Sequence, residues 1–506
     1  MDLNIAAPGG VSSRAAAGAT LLIASRLVTR GIDLATLAVL GRLLSPADFG
    51  LVAIAMSVVI VVEAVSELPI GPMLIRVPVL NRGHYDTAFT VAILRALVLA
   101  VVLCALAWPM AQLYGDHRLI GLLCSLWLGP AARMLGSPLF VKFAKEFHFR
   151  PGIAIEIASK SLAFLSSVGL AWWTRSYWSI SAVTIVAPIS QALMSYFVAP
   201  YRPRLSFVEW RAFAGFLGWS TASQLVNSIN FQLDQLVLAR FINAKEFGRF
   251  AMATNLANLP AQVVNVQVVT PLVAAFSHIR EDRRRLAAAY RTSAATMVAI
   301  GVPAMLGLGM IAEPVVRLFL GQQWLEAVPI LRWLSIATIP YFFVSALAPL
   351  SMALGRTEIF LRLSSIELLL RLPLTLPAIV YFGITGAIAV RLALAVIMAV
   401  CSMVAVRGLT GLSVGSQFVS PWRPMVSGVA MALFLGITER WLAGLQGLVA
   451  LALGLTAVVG LAAMVYAGSL LLLWHISGRP EGPEAKALAI LTQYSGKISV
   501  QPSQPM

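Results

Sequence analysis

Residues 22–50 read LIASRLVTRGIDLATLAVLGRLLSPADFG, which predicts a membrane-spanning helix with charges in its middle and a short polar turn after it. Arg26, Arg30 and Asp33 fall at i, i+4 and i+7, so they share one face of this helix. A charge at that depth in a bilayer costs at least about 2.5 kcal/mol unless it faces a partner or a water-filled cavity. We therefore expect the charged face to point inward, toward a polar pathway.

The same pattern recurs 198 residues further along the chain. Residues 27–55 align without gaps on residues 225–253, with Asp48 and Glu246 as a conservative pair. The identical pairs are Leu27/Leu225, Val28/Val226, Val39/Val237, Leu40/Leu238, Arg42/Arg240, Phe49/Phe247, Gly50/Gly248, Ala53/Ala251 and Ala55/Ala253. An arginine followed by an acid, Phe and Gly is not typical of a lipid-facing surface, so we interpret the chain as a duplicated helical bundle.

Composition places the chain among polytopic membrane proteins of the all-α class. It is 59% hydrophobic and 11% charged, with a mean hydropathy of +0.86, against about 45–50% apolar and 25% charged residues in soluble domains. Hydropathy predicts about fourteen helical spans. Their approximate bounds are 17–40, 51–75, 86–108, 119–141, 152–173, 178–200, 213–239, 249–275, 289–311, 326–353, 359–381, 384–406, 424–442 and 447–474.

The repeat offset divides these spans into six, six and two, because 198 residues hold six helices of about 33 residues with their loops. We predict a lead at 1–16, a first lobe at 17–205, a second lobe at 206–410, two further helices at 411–475 and a tail at 476–506. An even number of spans per repeat makes the two lobes parallel, related by an axis along the membrane normal.

The net charge of +16 follows membrane topology. With the N-terminus in the cytoplasm, the inner segments hold more than twice as many Lys and Arg as the outer loops. This asymmetry is the positive-inside rule, and it predicts that both termini are cytoplasmic. The basic excess therefore does not indicate a nucleic-acid partner. The first span is the expected insertion signal, since a basic stretch before a short apolar core is absent.

Further polar residues follow inside the predicted spans. Glu63 and Glu67 would lie level with Arg30 and Arg26 if the first two helices were antiparallel neighbours. Arg95 and Arg133 would either snorkel, bond to an acid or line the pathway, and the pair Glu156 and Lys160 would line it or lie at the interface. In the second repeat, amides follow one helix face at Ser220, Ser223, Asn227, Asn230 and Asp234, and at Asn255, Asn258, Gln262 and Asn265.

These amides would either bond between helices or line the cavity, and Asp234 favours the cavity. Glu367 and Arg371 lie one turn apart before Pro373 and Pro377, which predicts a broken helix facing protein or water. We expect a pathway lined by Arg26, Arg30, Asp33, Glu63, Glu67, Asn227, Asp234, Asn258, Glu367 and Arg371.

The chain shows no motif for catalysis, metal binding or ATP hydrolysis. It contains no G-x-x-x-x-G-K-[ST] loop, its histidines are isolated, and G-x-S-x-G at 411–415 lies between two spans rather than between a strand and a helix. Cys104, Cys124 and Cys401 are expected to pack as small hydrophobes. We therefore predict that the protein is not an enzyme and needs no cofactor, so transport would draw on a proton or sodium gradient or on the lipid's own concentration difference.

The motif LGRLLSPADFG at 40–50, its echo at 238–248, the fourteen spans and the parallel duplication resemble the Wzx-type polysaccharide repeat-unit flippases. These belong to the multidrug/oligosaccharidyl-lipid/polysaccharide exporter superfamily. The resemblance implies a V-shaped pair of six-helix lobes in the bacterial inner membrane that moves undecaprenyl-pyrophosphate-linked oligosaccharides to the periplasmic leaflet. Its implied partners are membrane lipids, a polysaccharide polymerase and a chain-length regulator.

Three other functions stay open. A peptidoglycan-precursor flippase and a drug or cation antiporter share this fold, and a membrane-bound polymerase or ligase would act through a large periplasmic loop. The resemblance carries over Arg26, Arg30, Asp33, Glu63 and Glu67 as cavity residues, whereas the second half carries amides in place of dense cations.

Overall fold

The computed structural model describes residues 8–66, 74, 80–146, 148–210, 217–356, 358–479 and 484, and regular structure within these ranges is entirely helical. By its contacts the chain divides into two compact units, Met1–Ala251 and Met252–Met506. The predicted lobe boundaries at 205/206 and 410/411 stay a prediction.

The first unit consists of helices joined by short turns. They are α1 (Pro8–Leu43), α2 (Pro46–Ser66), α3 (Arg82–Tyr114), α4 (Arg118–Leu126), α5 (Leu128–Met134), a 3-10 turn (Pro138–Phe140), α6 (Val141–Lys145), α7 (Arg150–Thr174), α8 (Trp178–Val198), α9 (Leu217–Phe241) and the first residues of α10 (Ala244–His278). Helix α1 packs against α7, and α7 against α8, whereas α2 packs against α9 and α4.

The second unit continues from α10 in the same way. Its helices are α11 (Arg283–Met310), α12 (Ala312–Phe319), a 3-10 turn (Gln322–Ala327), α13 (Val328–Val344), α14 (Leu347–Ala353), α15 (Glu358–Thr410), α16 (Val414–Val419), α17 (Trp422–Ala443) and α18 (Leu448–Ile476). Helix α11 packs against α13 and α17, which pack further against α15 and α18 respectively.

Nine helical segments within the described ranges are long and apolar enough to cross a membrane. Helices α1, α9 and α10 lie at predicted spans but are not among the nine, because their charges and amides lower their hydropathy. The all-α membrane class is confirmed, whereas the number fourteen stays a prediction.

Two predicted spans differ in shape from the structure. The span expected at 119–141 is interrupted at Trp127, and its second part, α5, ends at Met134. The helix break expected at Pro373 and Pro377 is wrong, because α15 continues through both prolines; its non-helical residue is Gly383, with φ 55° and ψ −131°. Only glycine adopts such a conformation readily, so Gly383 separates the two spans predicted at 359–381 and 384–406.

The repeated motif forms the same helix start twice. In the first copy, the Ser45 hydroxyl donates to Asp48 Oδ2 at 2.6 Å, and the Asp48 amide donates back to Ser45 Oγ at 3.3 Å. In the second copy, the Glu246 amide donates to Asn243 Oδ1 at 2.9 Å. Ser and Asn are strong N-cap residues, so the repeat sets where α2 and α10 begin.

The two copies also contact each other inside the first unit. A Cβ on Gly50 would lie 2.0 Å from the carbonyl oxygen of Ala244, and a Cβ on Gly248 would lie 1.8 Å from that of Pro46. The contact is reciprocal, because Pro46 and Ala244 are themselves equivalent in the repeat. Only glycine at both positions permits the starts of α2 and α10 to approach this closely.

Replacing Gly50 by Ala tests this crossing. We expect a loss of about 1–3 kcal/mol because the new methyl group meets backbone that cannot move aside. The readout is the melting temperature of the purified protein in detergent. Gly169→Ala is the matched control, since nothing lies within 4 Å of a Cβ there, and helix propensity alone favours Ala by about 1 kcal/mol. Equal melting temperatures for the two variants would contradict the crossing.

Candidate functional site

One ion pair joins α1 to α7. Lys160 Nζ donates to both carboxylate oxygens of Asp33, at 2.8 and 2.6 Å. Arg30, one turn before Asp33, lies 3.9 Å from the same carboxylate. These side chains remain partly exposed, 28% for Lys160 and 40% for Asp33, so the pair borders open space.

A second ion pair joins α2 to α5. Arg133 Nη2 donates to both oxygens of Glu63, at 2.9 and 3.1 Å. Helix α5 lies tightly against α8 because Gly129 leaves room for the Thr184 carbonyl oxygen, which would be 2.3 Å from a Cβ. This contact positions Arg133, one turn later, toward Glu63.

Both ion pairs border cavities of the first unit. A cavity of about 830 Å³ is lined by Glu63, Arg95 and Arg133 together with Ser137, Gln191 and other residues of α2, α3, α5, α7, α8 and α9. A smaller cavity of about 210 Å³ is lined by Asp33, Arg133 and Lys160. Arg133 lines both, and Arg95 is 8% exposed at the wall of the larger one.

We name the charged residues of this region the charge cluster, which comprises Arg30, Asp33, Glu63, Arg95, Arg133 and Lys160. The cluster holds four cations and two carboxylates. Arg133 and Lys160 each hold a carboxylate and also line a cavity, so both cations can be reached from it. Arginine binds phosphate in a bidentate manner and lysine binds it as a point charge, so these two side chains are chemically suited to a phosphate group.

We expected the acids of α2 to pair with the arginines of α1. The structure pairs Glu63 with Arg133 of α5, and Asp33 with Lys160 of α7. Glu63, for which the sequence suggested Arg30, is bound by Arg133. Arg26 is exposed on α1. Glu67 lies outside the described residues, so its expected pairing with Arg26 stays a prediction.

The polar face of α9 divides between burial and exposure. Asn230 and Asp234 are buried at 5% and 4% exposure, and Asn227 is exposed. The neighbouring Gln235 accepts from the Ser57 hydroxyl of α2 at 3.4 Å, and the Leu236 carbonyl accepts from Tyr114 of α3 at 3.1 Å. Part of the polar side of α9 therefore bonds between helices, and a cavity role for Asp234 stays a prediction.

The second unit contains the remaining predicted residues. Arg371 donates to Glu367 on the same helix and is only 9% exposed, and Asn258 on α10 is half-buried. A further ion pair links Arg332 of α13 to Glu439 of α17. The pattern of the sequence did not indicate this last pair.

Sequence reasoning left Arg133 and Lys160 undecided, although each binds a predicted site carboxylate. The first repeat places acids inside predicted spans, and an acid inside a membrane is expected to pair with a cation of the bundle. This expectation was the signal available in the sequence for Arg133 and Lys160. Choosing the partner requires knowing which helices are neighbours, and hydropathy carries no such information.

A helical membrane bundle with an internal repeat and charged cavities is typical of a membrane transporter. The superfamily that this architecture indicates is the multidrug/oligosaccharidyl-lipid/polysaccharide exporter superfamily. The family model described as "Polysaccharide biosynthesis protein" matches residues 39–329. The chain therefore belongs to the polysaccharide biosynthesis protein family, as the resemblance to Wzx-type flippases implied.

Two relatives illustrate the family. The succinoglycan biosynthesis transport protein ExoT of Rhizobium meliloti is 27% identical over 81% of this chain and 84% of its own length. The lipopolysaccharide biosynthesis protein WzxC of Escherichia coli is 24% identical over 80% of this chain and 84% of its own length. The relatives thus align along most of both chains.

Solved structures share the fold. The lipid II flippase MurJ in an inward closed conformation superimposes with a TM-score of 0.70 at 14% identity, covering 91% of this chain and all of that one. An inward-facing multidrug resistance transporter of the MATE family gives a TM-score of 0.57 at 15% identity over 76% of this chain and 95% of its own. Both likenesses concern the fold alone.

A double-mutant cycle tests the pair between α2 and α5. We expect Glu63→Gln and Arg133→Met each to lower the free energy of unfolding, and the double variant to lose less than the sum by about 0.5–3 kcal/mol. The measurement is denaturation in mixed detergent micelles. Glu63→Gln combined with Arg175→Met, at the exposed end of α7, should be additive. Additivity for Arg133 as well would show that the bond does not form.

Proposed function

We propose that this protein is a flippase that moves undecaprenyl-pyrophosphate-linked oligosaccharide repeat units from the cytoplasmic to the periplasmic leaflet for polysaccharide synthesis. The observation that carries this proposal is that Arg133 and Lys160 hold one carboxylate each at the walls of two cavities, the larger of about 830 Å³. Membership of the polysaccharide biosynthesis family supports it, because such a lipid presents a diphosphate and a sugar that both need a polar route.

Exchange of partners is the proposed step by which the site recognises its substrate. Arg133 binds Glu63, and Lys160 binds Asp33. A diphosphate carries more charge than a single carboxylate and offers several acceptors to each cation, so it competes with Glu63 and Asp33 for them. The released carboxylate is the group that would take up a coupling proton.

The remaining expectations belong to the same proposal. The protein would lie in the bacterial inner membrane with both termini in the cytoplasm, and would hand its product to a polysaccharide polymerase and a chain-length regulator. The proposed pathway would also include the other predicted residues, which are Arg26, Glu67, Asn227, Asp234, Asn258, Glu367 and Arg371.

The function is tested by deleting the gene for this protein in the source bacterium and complementing the deletion with the wild type or a variant. We expect a deletion strain to accumulate lipid-linked oligosaccharide and to lose surface polysaccharide. Lys160→Ala and Arg133→Ala should each restore at most about a tenth of export, since a charge-assisted bond contributes roughly 1.5–3 kcal/mol. Export is measured as surface polysaccharide per cell, with the amount of each variant in the membrane measured by immunoblot.

Lys245→Ala provides the matched control because Lys245 is exposed at the start of α10. It should restore export fully. The proposal is wrong if both cavity variants export normally. It is also wrong if the deletion strain accumulates the peptidoglycan precursor, or if its defect is sensitivity to cationic dyes, since these results identify the two other transport functions of this fold.

A further inference from the structure

A separate cavity of about 770 Å³ lies where three connecting segments of the first unit meet. The start of α3, the segment around α6 and the chain after α8 each contribute to its wall. The charged and aromatic residues of the lining are Arg82, Tyr85, Lys142, Tyr196, Tyr201 and Arg202. None of these residues lines the cavities of the charge cluster, so this is a different site.

The wall of this cavity is cationic. Arg82, Lys142 and Arg202 come from the three segments, and all three side chains are exposed. Among the residues that the structure describes, the lining contains no carboxylate. Three cations from separate parts of the chain repel one another where they converge, which favours a bound anion among them.

Two acids lie close to the cavity, and both already have partners. Asp86, 6% exposed, accepts from the Tyr201 hydroxyl and lies 3.8 Å from Arg82 Nε. Glu209 accepts from the Asn81 amide group at 3.2 Å. Even with both acids counted, the surroundings of the cavity keep a positive excess.

Three tyrosines form the apolar part of the wall together with Leu80, Leu139 and Pro200. The Tyr201 ring meets Phe89 edge-on with centroids 5.9 Å apart, and the Tyr196 hydroxyl donates to the Leu135 carbonyl at 2.8 Å. Burial and the bond to Asp86 raise the pKa of Tyr201, so it remains a neutral donor. Tyr85 is 5% exposed. Its hydroxyl makes no hydrogen bond to any residue that the structure describes, so it is available for a ligand.

We propose that this cavity binds the phosphate of a membrane lipid headgroup. Arg82, Lys142 and Arg202 would contact the phosphate oxygens, and the Tyr85 hydroxyl would donate to one of them. The site lies at the ends of α3 and α8, both long enough to cross the membrane, and basic residues with tyrosines are typical of the level where headgroups lie. The volume is within the usual range for ligand pockets.

The phosphate has two sources, a bilayer phospholipid or a lipid-linked diphosphate. The second source rests on the proposed function and would make this cavity a docking place before the charge cluster. Binding is measured with the purified full-length protein in detergent, so the result does not depend on whether transport occurs.

The experiment compares the wild type with Lys142→Gln/Arg202→Gln in native mass spectrometry. The probes are dioctanoyl phosphatidylglycerol, farnesyl diphosphate and, as a zwitterionic reference, dioctanoyl phosphatidylcholine. We expect at least about a tenfold loss of affinity for an anionic probe in the double variant, and a smaller loss in Tyr85→Phe. Arg280→Gln/Arg284→Gln removes two exposed cations elsewhere and should bind as the wild type does.

The two anionic probes distinguish the sources. A loss confined to phosphatidylglycerol supports a bilayer lipid, a loss confined to farnesyl diphosphate supports a lipid-linked diphosphate, and a loss for both supports a general phosphate site. Tyr85→Phe removes a single hydroxyl, so it remains informative if the double variant does not fold. Unchanged affinity for both anionic probes in every folded variant would overturn the proposal, as would equal losses in the Arg280/Arg284 control.

Discussion

The fold of the first unit depends on bonds between carboxylates and cations that come from different helices of an apolar bundle. Lys160 holds Asp33 with two bonds, and Arg133 holds Glu63 with two more. Both pairs are partly exposed at cavity walls, so removing one partner leaves the other charge without compensation beside apolar helices, which is unfavourable. These bonds therefore fix α1 against α7 and α2 against α5. Since Arg133 and Lys160 also line cavities, the pairs that join the helices place side chains able to bind phosphate at the cavity walls.

The duplication contributes a second constraint, which is steric. Each copy of the motif places an N-cap residue before a new helix and a glycine one turn into it, and the two glycines meet each other's copy through backbone atoms. Reciprocal contact requires both copies to keep small residues at the same place. The two copies of the motif therefore resemble each other in sequence and also contact each other within the first unit.

Much of the fold could be predicted from the sequence because hydropathy and helical spacing act locally. The charged face of α1 and the separation of the spans at 359–381 and 384–406 follow from such patterns. The partner of Asp33 could not be predicted, because Lys160 lies 127 residues away and helix neighbours depend on packing. The further break expected at Pro373 and Pro377 is wrong, because α15 continues through both prolines, as membrane helices can where neighbouring groups satisfy the backbone. The cationic cavity beside Tyr85 was missed because its three segments are far apart in the chain.

Water access to the charge cluster tests the central claim most directly. Single cysteines are introduced at Asp33, Lys160 and Leu165 after Cys104, Cys124 and Cys401 are replaced by Ser, and each protein is treated in membranes with a hydrophilic maleimide. Leu165 lies on α7 like Lys160 and is 65% exposed on an apolar surface. If the charges border a wet cavity, positions 33 and 160 react rapidly and position 165 does not. Protection of positions 33 and 160 to the level of position 165 would contradict the account.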